Sequence, residues 1–366
     1  MAGYYGYDNA GDEAIAEAVV YALRSLVPDV HITVLSAQPA RTLARLSVEA
    51  VHRFSPRAVL GALARCHLLI FGGGSLLQDV TSFRSLLYYQ SIFALALMLG
   101  KPVAVYANGL GPIRSRLGRF LTAGLLSRAR LVSLRDRHSW EEALRLGARD
   151  PLLTADPAFL LSPAPAEEVA EIRKHEGWDG LPHPLVGVAP RPWPASPRFV
   201  TEIARALDSL ARDGATVVFI PMQYPQDMGM IEQVRAAMQE PSCVLTGRYG
   251  PRQLLALTGE LDLVIGMRLH ALIFAIAAGV PVVGISYDPK VDSFLAEVGC
   301  PRAGTPSDLN GDKLLEVSRR VLADGNLRES VRQKAAVLHD LAWENARATV
   351  ALLVRERDPR RSSPRA

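Results

Sequence analysis

The chain has few of the features that mark secreted, metal-bound or membrane-embedded proteins. Its three cysteines are odd in number and lie far apart, without the short spacings of a zinc site or a disulfide framework. The longest apolar stretches, 91–99 and 269–286, are short or broken by glycine and proline, which argues against a membrane-spanning helix. The first residues are not basic and then apolar, as in a signal peptide. We therefore expect a cytoplasmic protein without a metal site.

Strong charge of either sign is also missing. The 41 basic residues exceed the 37 acidic ones by only +4, and most of the surplus lies in the arginine-rich end of the chain. No basic stripe is interleaved with aromatics, so nucleic acid is not an expected partner. The cationic end is a candidate for peripheral contact with an anionic membrane leaflet, although such ends are often only solvated.

Length and periodicity predict two α/β domains. A chain of 366 residues exceeds what one hydrophobic core usually supports, and strand-like apolar runs alternate with helical patterns throughout. Breaker clusters at 162–165 and 180–184 interrupt this series and mark a boundary. We predict two doubly wound, Rossmann-like domains that face each other across a crevice, the architecture called GT-B. The predicted segments are an N-terminal domain over 1–165, a C-terminal domain over 182–325, a helix over 326–354 and a disordered basic tail over 355–366.

A glycine-rich loop opens the chain at residues 3–13 and leads into a helix. Asn9 is placed to cap that helix, and the glycines allow a ligand to approach the backbone. Asp12 and Asn9 are also candidate catalytic residues that would hold a sugar hydroxyl or take its proton, and Tyr5 is a candidate substrate contact. A plain helix cap is the structural alternative.

Two further turns in the first half follow strands at the edge where doubly wound domains bind ligands. Gly73 and Gly74 belong to a triple-glycine run whose amides can accept a ligand, although it matches neither a P-loop nor a dinucleotide fingerprint. Arg114 follows another strand and is a second candidate contact. Arg135 and Asp136 recur at a similar edge, and we interpret them as a structural ion pair.

The second half carries the densest set of candidate catalytic residues. Arg268 and His270 open a helix directly after a buried strand, and Lys290 follows the next strand. Arg191 and Gln223 come after two earlier strands, so all five are expected at the same crevice. Two cations and an imidazole suggest a doubly anionic substrate and a proton to be moved.

The start of the chain poses a separate question. A glycine-rich loop before the first helix of such a domain is normally preceded by a central strand, and Met1 and Ala2 are too few to form one. We therefore expect the natural protein to begin several residues earlier with an apolar strand.

Taken together, the motifs resemble the polysaccharide pyruvyltransferase family, most closely its bacterial cell-wall branch, the CsaB-type enzymes. The resemblance covers roughly residues 3–300, and ordered motifs are far more specific than any one alone. In chain order they are Gly-Tyr-Tyr-Gly-Tyr-Asp-Asn-Ala-Gly-Asp-Glu-Ala, Gly-Gly-Gly-Ser-Leu-Leu-Gln-Asp, Asn-Gly-Leu-Gly-Pro-Ile, Ser-Leu-Arg-Asp, Asp-Pro-Ala, and Gly-Met-Arg-Leu-His with Tyr-Asp-Pro-Lys.

The resemblance implies transfer of pyruvate from phosphoenolpyruvate to two hydroxyls of a sugar, with no other cofactor. In the cell-wall branch the acceptor is an N-acetylmannosamine residue of a lipid-linked precursor. By it, Arg268 and Lys290 neutralise the donor, His270 is the acid, and Arg114 is a less certain donor contact. A glycosyltransferase or epimerase that uses a nucleotide sugar is the main alternative, and a catalytically silent sugar-binding protein is another.

Overall fold

The computed structural model describes residues 1–80, 82–193 and 197–357. Contacts divide the chain into two units, the first formed by Met1–Asp8, Asp12–Leu161 and the chain from Leu338 onward, the second by Asn9–Gly11 and Ser162–Val337. The sequence had suggested a boundary within 162–182, and the division falls at its first residue.

The first unit is a parallel sheet of seven strands within the described residues. Its order is β3-β2-β1-β4-β5-β6-β7, so the direction of chain progression reverses between β1 and β4. Helices cover the sheet because each connection between parallel strands must cross a face. The strands are β1 (Ala2–Tyr5), β2 (Thr33–Ser36), β3 (Glu49–His52), β4 (Leu69–Gly72), β5 (Val103–Asn108), β6 (Leu131–Leu134) and β7 (Leu152–Leu153). The helices are α1 (Ala10–Leu26), α2 (Pro39–Leu46), α3 (Pro56–Arg65), α4 (Phe83–Met98), α5 (Arg116–Leu126) and α6 (Arg137–Arg145).

The second unit repeats this plan over the residues described for it. Its six parallel strands have the order β10-β9-β8-β11-β12-β13, with the reversal between β8 and β11. The strands are β8 (Leu185–Ala189), β9 (Thr216–Phe219), β10 (Cys243–Val244), β11 (Leu263–Gly266), β12 (Val282–Ile285) and β13 (Arg302–Gly304). The helices are α7 (Ala166–Glu176), α8 (Pro197–Arg212), α9 (Met228–Ala237), α10 (Pro251–Gly259), α11 (Leu269–Ala277), α12 (Pro289–Val298) and α13 (Gly311–Ala323). The last helix, α14 (Gly325–Arg357), begins in this unit, and its residues from Leu338 onward belong to the first unit.

The first strand corrects the expectation about the start of the chain. Ala2–Tyr5, taken from the sequence as a loop, pairs with β2 on one side and β4 on the other. Two glycines and two tyrosines do not look like a strand, but Ala2 and Tyr5 are buried in the centre of the sheet. The premise that a central strand is missing is therefore wrong.

The long helix α14 also differs from the sequence expectation at its end. Residues 355–357, assigned to a disordered tail, continue the helix, and residues 358–366 lie outside the described part of the chain. Earlier in the helix, the buried Asn345 accepts hydrogen bonds from Ser133 (2.6 Å) and Thr154 (2.8 Å) and fixes this part of α14 to the first sheet.

Candidate functional site

The carboxyl edge of the second sheet gathers most of the candidate catalytic residues. Arg191 follows β8, Arg268 and His270 follow β11, and Lys290 begins α12 after β12. These three strands are neighbours in the sheet, and β8 and β11 flank its reversal. Doubly wound sheets bind their ligands beside such a reversal, at the carboxyl ends of the strands. The edge itself was expected from the sequence, but the contacts made by these side chains were not.

Arg268 is committed to a buried carboxylate. It precedes α11 and donates through Nε and one terminal nitrogen to Asp227, which is fully buried. The same carboxylate accepts the backbone amides of Met222 (3.1 Å) and Gln223 (2.9 Å). Arg268 therefore balances a buried charge and fixes the loop after β9, and its expected contact with the donor stays a prediction.

Arg191 and Lys290 instead meet on one aromatic ring. The guanidinium carbon of Arg191 lies 4.2 Å from the ring centroid of Tyr287, and Lys290 Nζ lies 6.0 Å from it. Trp193 packs against the same ring at 5.8 Å between centroids. Lys290 also pairs with Asp288 at 3.2 Å. Among the described residues no carboxylate pairs with Arg191, and its Nε is buried without a hydrogen-bond partner.

His270 lies in the first turn of α11, next to the segment Asn9–Gly11. A Cβ atom added to Gly11 would come within 2.0 Å of His270 Nδ1, so only glycine leaves room for the imidazole. Ala10 donates its backbone amide to the carbonyl of Met222 at 2.9 Å, and Asn9 forms a β-bridge with Gln223. The Asn9 side chain accepts the amide of Gly11 at 3.1 Å and caps α1. Gln223 and Asn9 thus shape the backbone beside the histidine.

At the reversal of the first sheet, a carboxylate lies against the triple-glycine turn. Gly73 and Gly74 both have positive φ, at 52° and 68°, a conformation that favours glycine. A Cβ atom on Gly74 would lie 2.8 Å from Asp12 Oδ1, and one on Gly73 would lie 2.1 Å from Ile15. The two glycines therefore let α1 approach the turn after β4 and bring the Asp12 carboxylate to the edge.

Tyr5 and Arg114, two predicted substrate contacts, differ in burial: Tyr5 is buried and Arg114 is exposed. Tyr5 is 1% exposed within β1, and its hydroxyl donates to the carbonyl of Gly72 at 3.0 Å. Burial, and then the charge of Asp12, raise the pKa of Tyr5 above its ordinary value. Tyr5 thus belongs to the core of the first unit, and its contact with substrate stays a prediction. Arg114 is exposed before α5, where Asp79 accepts its backbone amide at 2.8 Å.

The expected pair of Arg135 with Asp136 is also wrong. Arg135 donates to Asp156 at 2.5 Å and to Ser75 Oγ at 3.2 Å, whereas Asp136 caps α6 by accepting the amide of Ser139. Burial lowers the pKa of Arg135, but Asp156 and Asp136 raise it further, so the guanidinium stays charged. This cation is neutralised inside the first unit.

Three residues at these edges escaped the sequence interpretation. Asp227 lies just before α9, where a carboxylate suggests an ordinary helix start rather than a partner for Arg268. Tyr287 is part of the Tyr-Asp-Pro-Lys motif, so its closeness to Lys290 in the sequence could have indicated that it belongs to the same site. Arg53, after β3, is surrounded by aromatic rings, with Tyr88 nearest at 4.6 Å, and no sequence signal pointed to that enclosure.

Across 1–80, 82–193 and 197–357, no group of three or more His, Cys, Asp or Glu side chains is arranged to hold a metal ion. None of the helices described is both long and apolar enough to cross a bilayer.

Solved structures resemble this chain throughout their length at low identity. S. aureus MnaA, solved with UDP, has a TM-score of 0.68 and 12% identity, over 97% of this chain and 94% of that one. The UDP-GlcNAc 2-epimerase of Neisseria meningitidis, bound to UDP-GlcNAc, has a TM-score of 0.64 and 11% identity, over 96% and 98%. A glycosyltransferase from Rickettsia africae has a TM-score of 0.64 and 10% identity, over 98% and 97%. These similarities confirm the predicted GT-B-like fold of two Rossmann-like α/β units.

No curated protein matches the chain significantly. A family model does: the one described as polysaccharide pyruvyl transferase matches residues 9–289, which is well over half of the sequence. That span includes Asn9 at one end and the helix start before Lys290 at the other. The chain therefore belongs to the polysaccharide pyruvyl transferase family.

Proposed function

We propose that this protein transfers pyruvate from phosphoenolpyruvate to two hydroxyls of one sugar residue, forming a cyclic ketal and releasing phosphate. Family membership supports pyruvyl transfer. The observation that carries the choice of donor is the pair of cations on Tyr287, since Arg191 has no carboxylate partner among the described residues. Phosphoenolpyruvate carries a carboxylate and a phosphate, and planar guanidinium groups suit both.

The donor would lie at the carboxyl edge of the second sheet. Arg191 and Lys290 supply the charge, and the packing of Tyr287 against both limits their freedom to reorient. Arg268 serves this site indirectly, because its pairing with Asp227 fixes the backbone of Gln223 beside the segment Asn9–Gly11. The five predicted residues of this edge thus divide into two that meet the anion, one acid and two that support the backbone.

In the proposed reaction His270 gives a proton to the methylene carbon of phosphoenolpyruvate. The first sugar hydroxyl attacks the adjacent carbon, a carbon–oxygen bond forms, and the hydroxyl proton restores the histidine. The carbon–oxygen bond to phosphate then breaks, the second hydroxyl closes the ring, and its proton leaves with the phosphate. Two hydroxyl protons are thereby accounted for, one in the new methyl group and one on phosphate.

The acceptor is proposed to use the edge of the first sheet. Asp12 is placed there by the two glycines after β4 and suits a hydrogen bond to a sugar hydroxyl. The resemblance to the CsaB-type branch supports an N-acetylmannosamine residue of a lipid-linked cell-wall precursor as acceptor. It also supports a cytoplasmic enzyme that works beside the inner membrane leaflet.

A substrate panel tests the proposal. Purified protein is incubated with phosphoenolpyruvate and N-acetylmannosaminyl acceptors, and products are identified by mass spectrometry alongside a phosphate-release assay. We expect the acceptor to gain the mass of one pyruvyl ketal. One phosphate should be released for each product molecule formed. Turnover of UDP-sugars with none of phosphoenolpyruvate would favour the nucleotide-sugar alternative, which the fold also accommodates. Because phosphate leaves by carbon–oxygen cleavage, we expect activity to survive EDTA.

A further inference from the structure

A long stretch of the first unit carries charge of only one sign. Residues 80–135 contain no aspartate or glutamate, although the whole chain has 37 acidic residues. The same stretch contains Lys101 and seven arginines. The arginines are Arg84, Arg114, Arg116, Arg119, Arg128, Arg130 and Arg135. Acids outside the segment pair with Arg119, Arg130 and Arg135. The positive charge that keeps no described acidic partner includes the arginines near the starts of α4 and α5, where it can act as a local positive field.

Helices α4 and α5 of this stretch pack through small and polar groups. A Cβ atom on Gly118 would lie 2.8 Å from the side chain of Leu86, so the helices approach closely there. The amide of Gln90 donates to the carbonyl of Gly118 at 3.0 Å and to Thr122 Oγ1 at 2.9 Å. The first turns of α5 therefore lie beside the first turns of α4.

Large apolar side chains are exposed around this junction. On α5, Leu117 is 54% and Phe120 is 76% exposed, and on α4, Phe83 and Leu87 are 36% and 37% exposed. Gly118 and Leu86 are buried where α4 and α5 contact each other, so they form the inner faces of the two helices. We call Phe83, Leu87, Leu117 and Phe120 the apolar face. These four side chains stay exposed, because no other described residue buries them.

Arginines border the apolar face without opposing acids. Arg84, Arg114 and Arg116 are exposed, and none of them forms an ion pair with another described residue. The nearest acid in sequence, Asp79, already accepts the backbone amides of Arg114 (2.8 Å) and Ser115 (2.7 Å). The positive charge around the face is therefore available to an external anion.

We propose that the apolar face and its arginines dock this protein on an anionic lipid surface. Exposed aromatic and aliphatic side chains flanked by arginines match the physics of interfacial binding, where apolar insertion and attraction to anionic headgroups add. A second copy of the chain is disfavoured as occupant, because a two-fold contact would place these arginines against each other. The inference rests on the proposed function in one respect, the lipid-linked nature of the acceptor.

The position of the face suits that role. Helices α4 and α5 follow β4 and β5, so their first turns lie at the carboxyl edge of the first sheet, where Gly73 and Gly74 are found. A membrane on this face would hold a lipid-linked sugar near the edge proposed for the acceptor. The docking surface is thus formed by the folded helices α4 and α5.

Vesicle co-sedimentation tests the proposal with the full-length protein. Phosphatidylcholine vesicles with and without phosphatidylglycerol are compared at low and high salt. We expect binding only to the anionic vesicles, weakened by salt. The double variant Leu117→Ser/Phe120→Ser should bind at least tenfold more weakly, and Arg84→Gln/Arg116→Gln should lose about fivefold per arginine.

Matched variants give the controls. Leu43→Ser/Leu60→Ser changes leucines that are 54% and 46% exposed on other helices and should bind as the wild type does. Replacing Arg360, Arg361 and Arg365 by glutamine tests the chain end. Three outcomes would overturn the proposal. Binding could be lost only in the chain-end variant, Leu117→Ser/Phe120→Ser could bind as well as the wild type, or the wild type could fail to bind. A dimer that only the face variants dissociate would overturn it too.

Turnover of a soluble acceptor, measured without lipid, separates this inference from the proposed function. The face variants should keep it at the wild-type rate, because none of the changed residues belongs to the proposed site. Normal vesicle binding without any turnover would contradict the pyruvyltransferase proposal and leave the docking surface standing.

Discussion

The two sheets share one strand order, yet Arg135 at the carboxyl edge of the first and Arg191 at the carboxyl edge of the second are held in opposite ways. In the first unit Arg135 is paired with Asp156, each with a side chain only 4% exposed. In the second unit Arg191 rests on Tyr287, and no described carboxylate pairs with it. A buried ion pair is already neutralised, whereas a cation on an aromatic face keeps its charge for a ligand.

The different surroundings of Arg135 and Arg191 indicate which unit suits an anionic donor and which suits a sugar acceptor. Of the described arginines just after a strand, Arg53 is buried and donates to Gly3 and Tyr89, and Arg135 and Arg268 are paired with aspartates. Arg191 in the second unit has no such acidic partner, so we assign the anionic donor to its edge. A neutral polyhydroxyl acceptor needs hydrogen-bonding groups and close backbone approach, which Asp12 and the glycines after β4 provide in the first unit. The predictions below test this division by breaking one edge at a time.

The largest effect is expected from His270→Gln. Glutamine retains hydrogen-bonding capacity but cannot deliver a proton, so kcat for phosphate release should fall about 10²–10⁴-fold. Phosphoenolpyruvate binding should change little, since the cations on Tyr287 remain. Turnover assays and isothermal titration with phosphoenolpyruvate measure the two quantities separately. Wild-type kcat in this variant would rule out His270 as the acid.

Gly11→Ala provides a control that leaves every charged group in place. The added methyl group would lie 2.0 Å from His270 Nδ1 and must displace the ring. We expect kcat to fall by tenfold or more while the protein stays folded, because a misplaced catalytic group loses much of its advantage.

Arg268→Gln should unfold the second unit more readily than it weakens donor binding. Asp227 would remain buried without its cation, and breaking a buried pair in this way costs about 3–5 kcal/mol. Urea denaturation should show that loss as a lower midpoint. A variant that keeps its stability but raises the KM for phosphoenolpyruvate would restore Arg268 to the role suggested by the sequence.

The double variant Arg268→Gln/Asp227→Asn sharpens the same test. Removing both charges leaves no unpaired buried carboxylate, so part of the stability should return relative to Arg268→Gln. Equal or greater destabilisation in the double variant would mean that the amides of Met222 and Gln223 depend on the carboxylate charge itself.

Arg191→Gln should act on binding rather than on stability. Loss of one charge-assisted hydrogen bond to the donor costs about 1.5–3 kcal/mol, or roughly 10–100-fold in the KM for phosphoenolpyruvate. Lys290→Gln should have a similar but smaller effect, because Asp288 already shares its charge. Unchanged KM values in both variants would move the donor site away from Tyr287.

Much of this arrangement was predictable from the sequence because parallel sheets impose it. Alternating apolar runs and helical patterns fixed the class, and residues after strands had to appear at one edge. That is why His270, Lys290 and Arg191 were recognised as candidates together. The strand β1 was taken for a loop because it carries glycine and tyrosine, and its burial comes from tertiary context rather than from composition.

The partners of the charged residues were not predictable in the same way. Arg268 pairs with Asp227, which lies 41 residues away in the sequence. Arg135 pairs with Asp156 and not with Asp136, its neighbour in the sequence. Both outcomes depend on which loops meet at the edge of the sheet. Sequence spacing identifies the edge on which a side chain lies, but contacts across that edge decide whether its charge is already used.

Glu176→Gln tests the scaffold of the second edge and predicts a pH dependence. Burial raises the pKa of Glu176, but hydrogen bonds from Tyr249 and from the amides of Thr246 and Gly247 outweigh it, so the pKa is lowered. The stabilisation is then present above the ordinary glutamate pKa and lost as pH falls through the lowered value. At pH 7 the variant should lose about 1–3 kcal/mol of unfolding free energy. That difference should shrink below about pH 4.3, and a pH-independent difference in urea midpoints would contradict it.

The smallest effect is expected from Tyr5→Phe. The hydroxyl of Tyr5 donates to the carbonyl of Gly72 inside the first sheet, so its removal should cost about 1 kcal/mol of stability. Because the side chain is 1% exposed, it does not reach a sugar, and the KM for the acceptor should stay unchanged. Thermal denaturation and acceptor titration distinguish the two roles. A raised acceptor KM without loss of stability would show that Tyr5 contacts substrate, as the sequence suggested, and that the edge of the first sheet opens further than its packing implies.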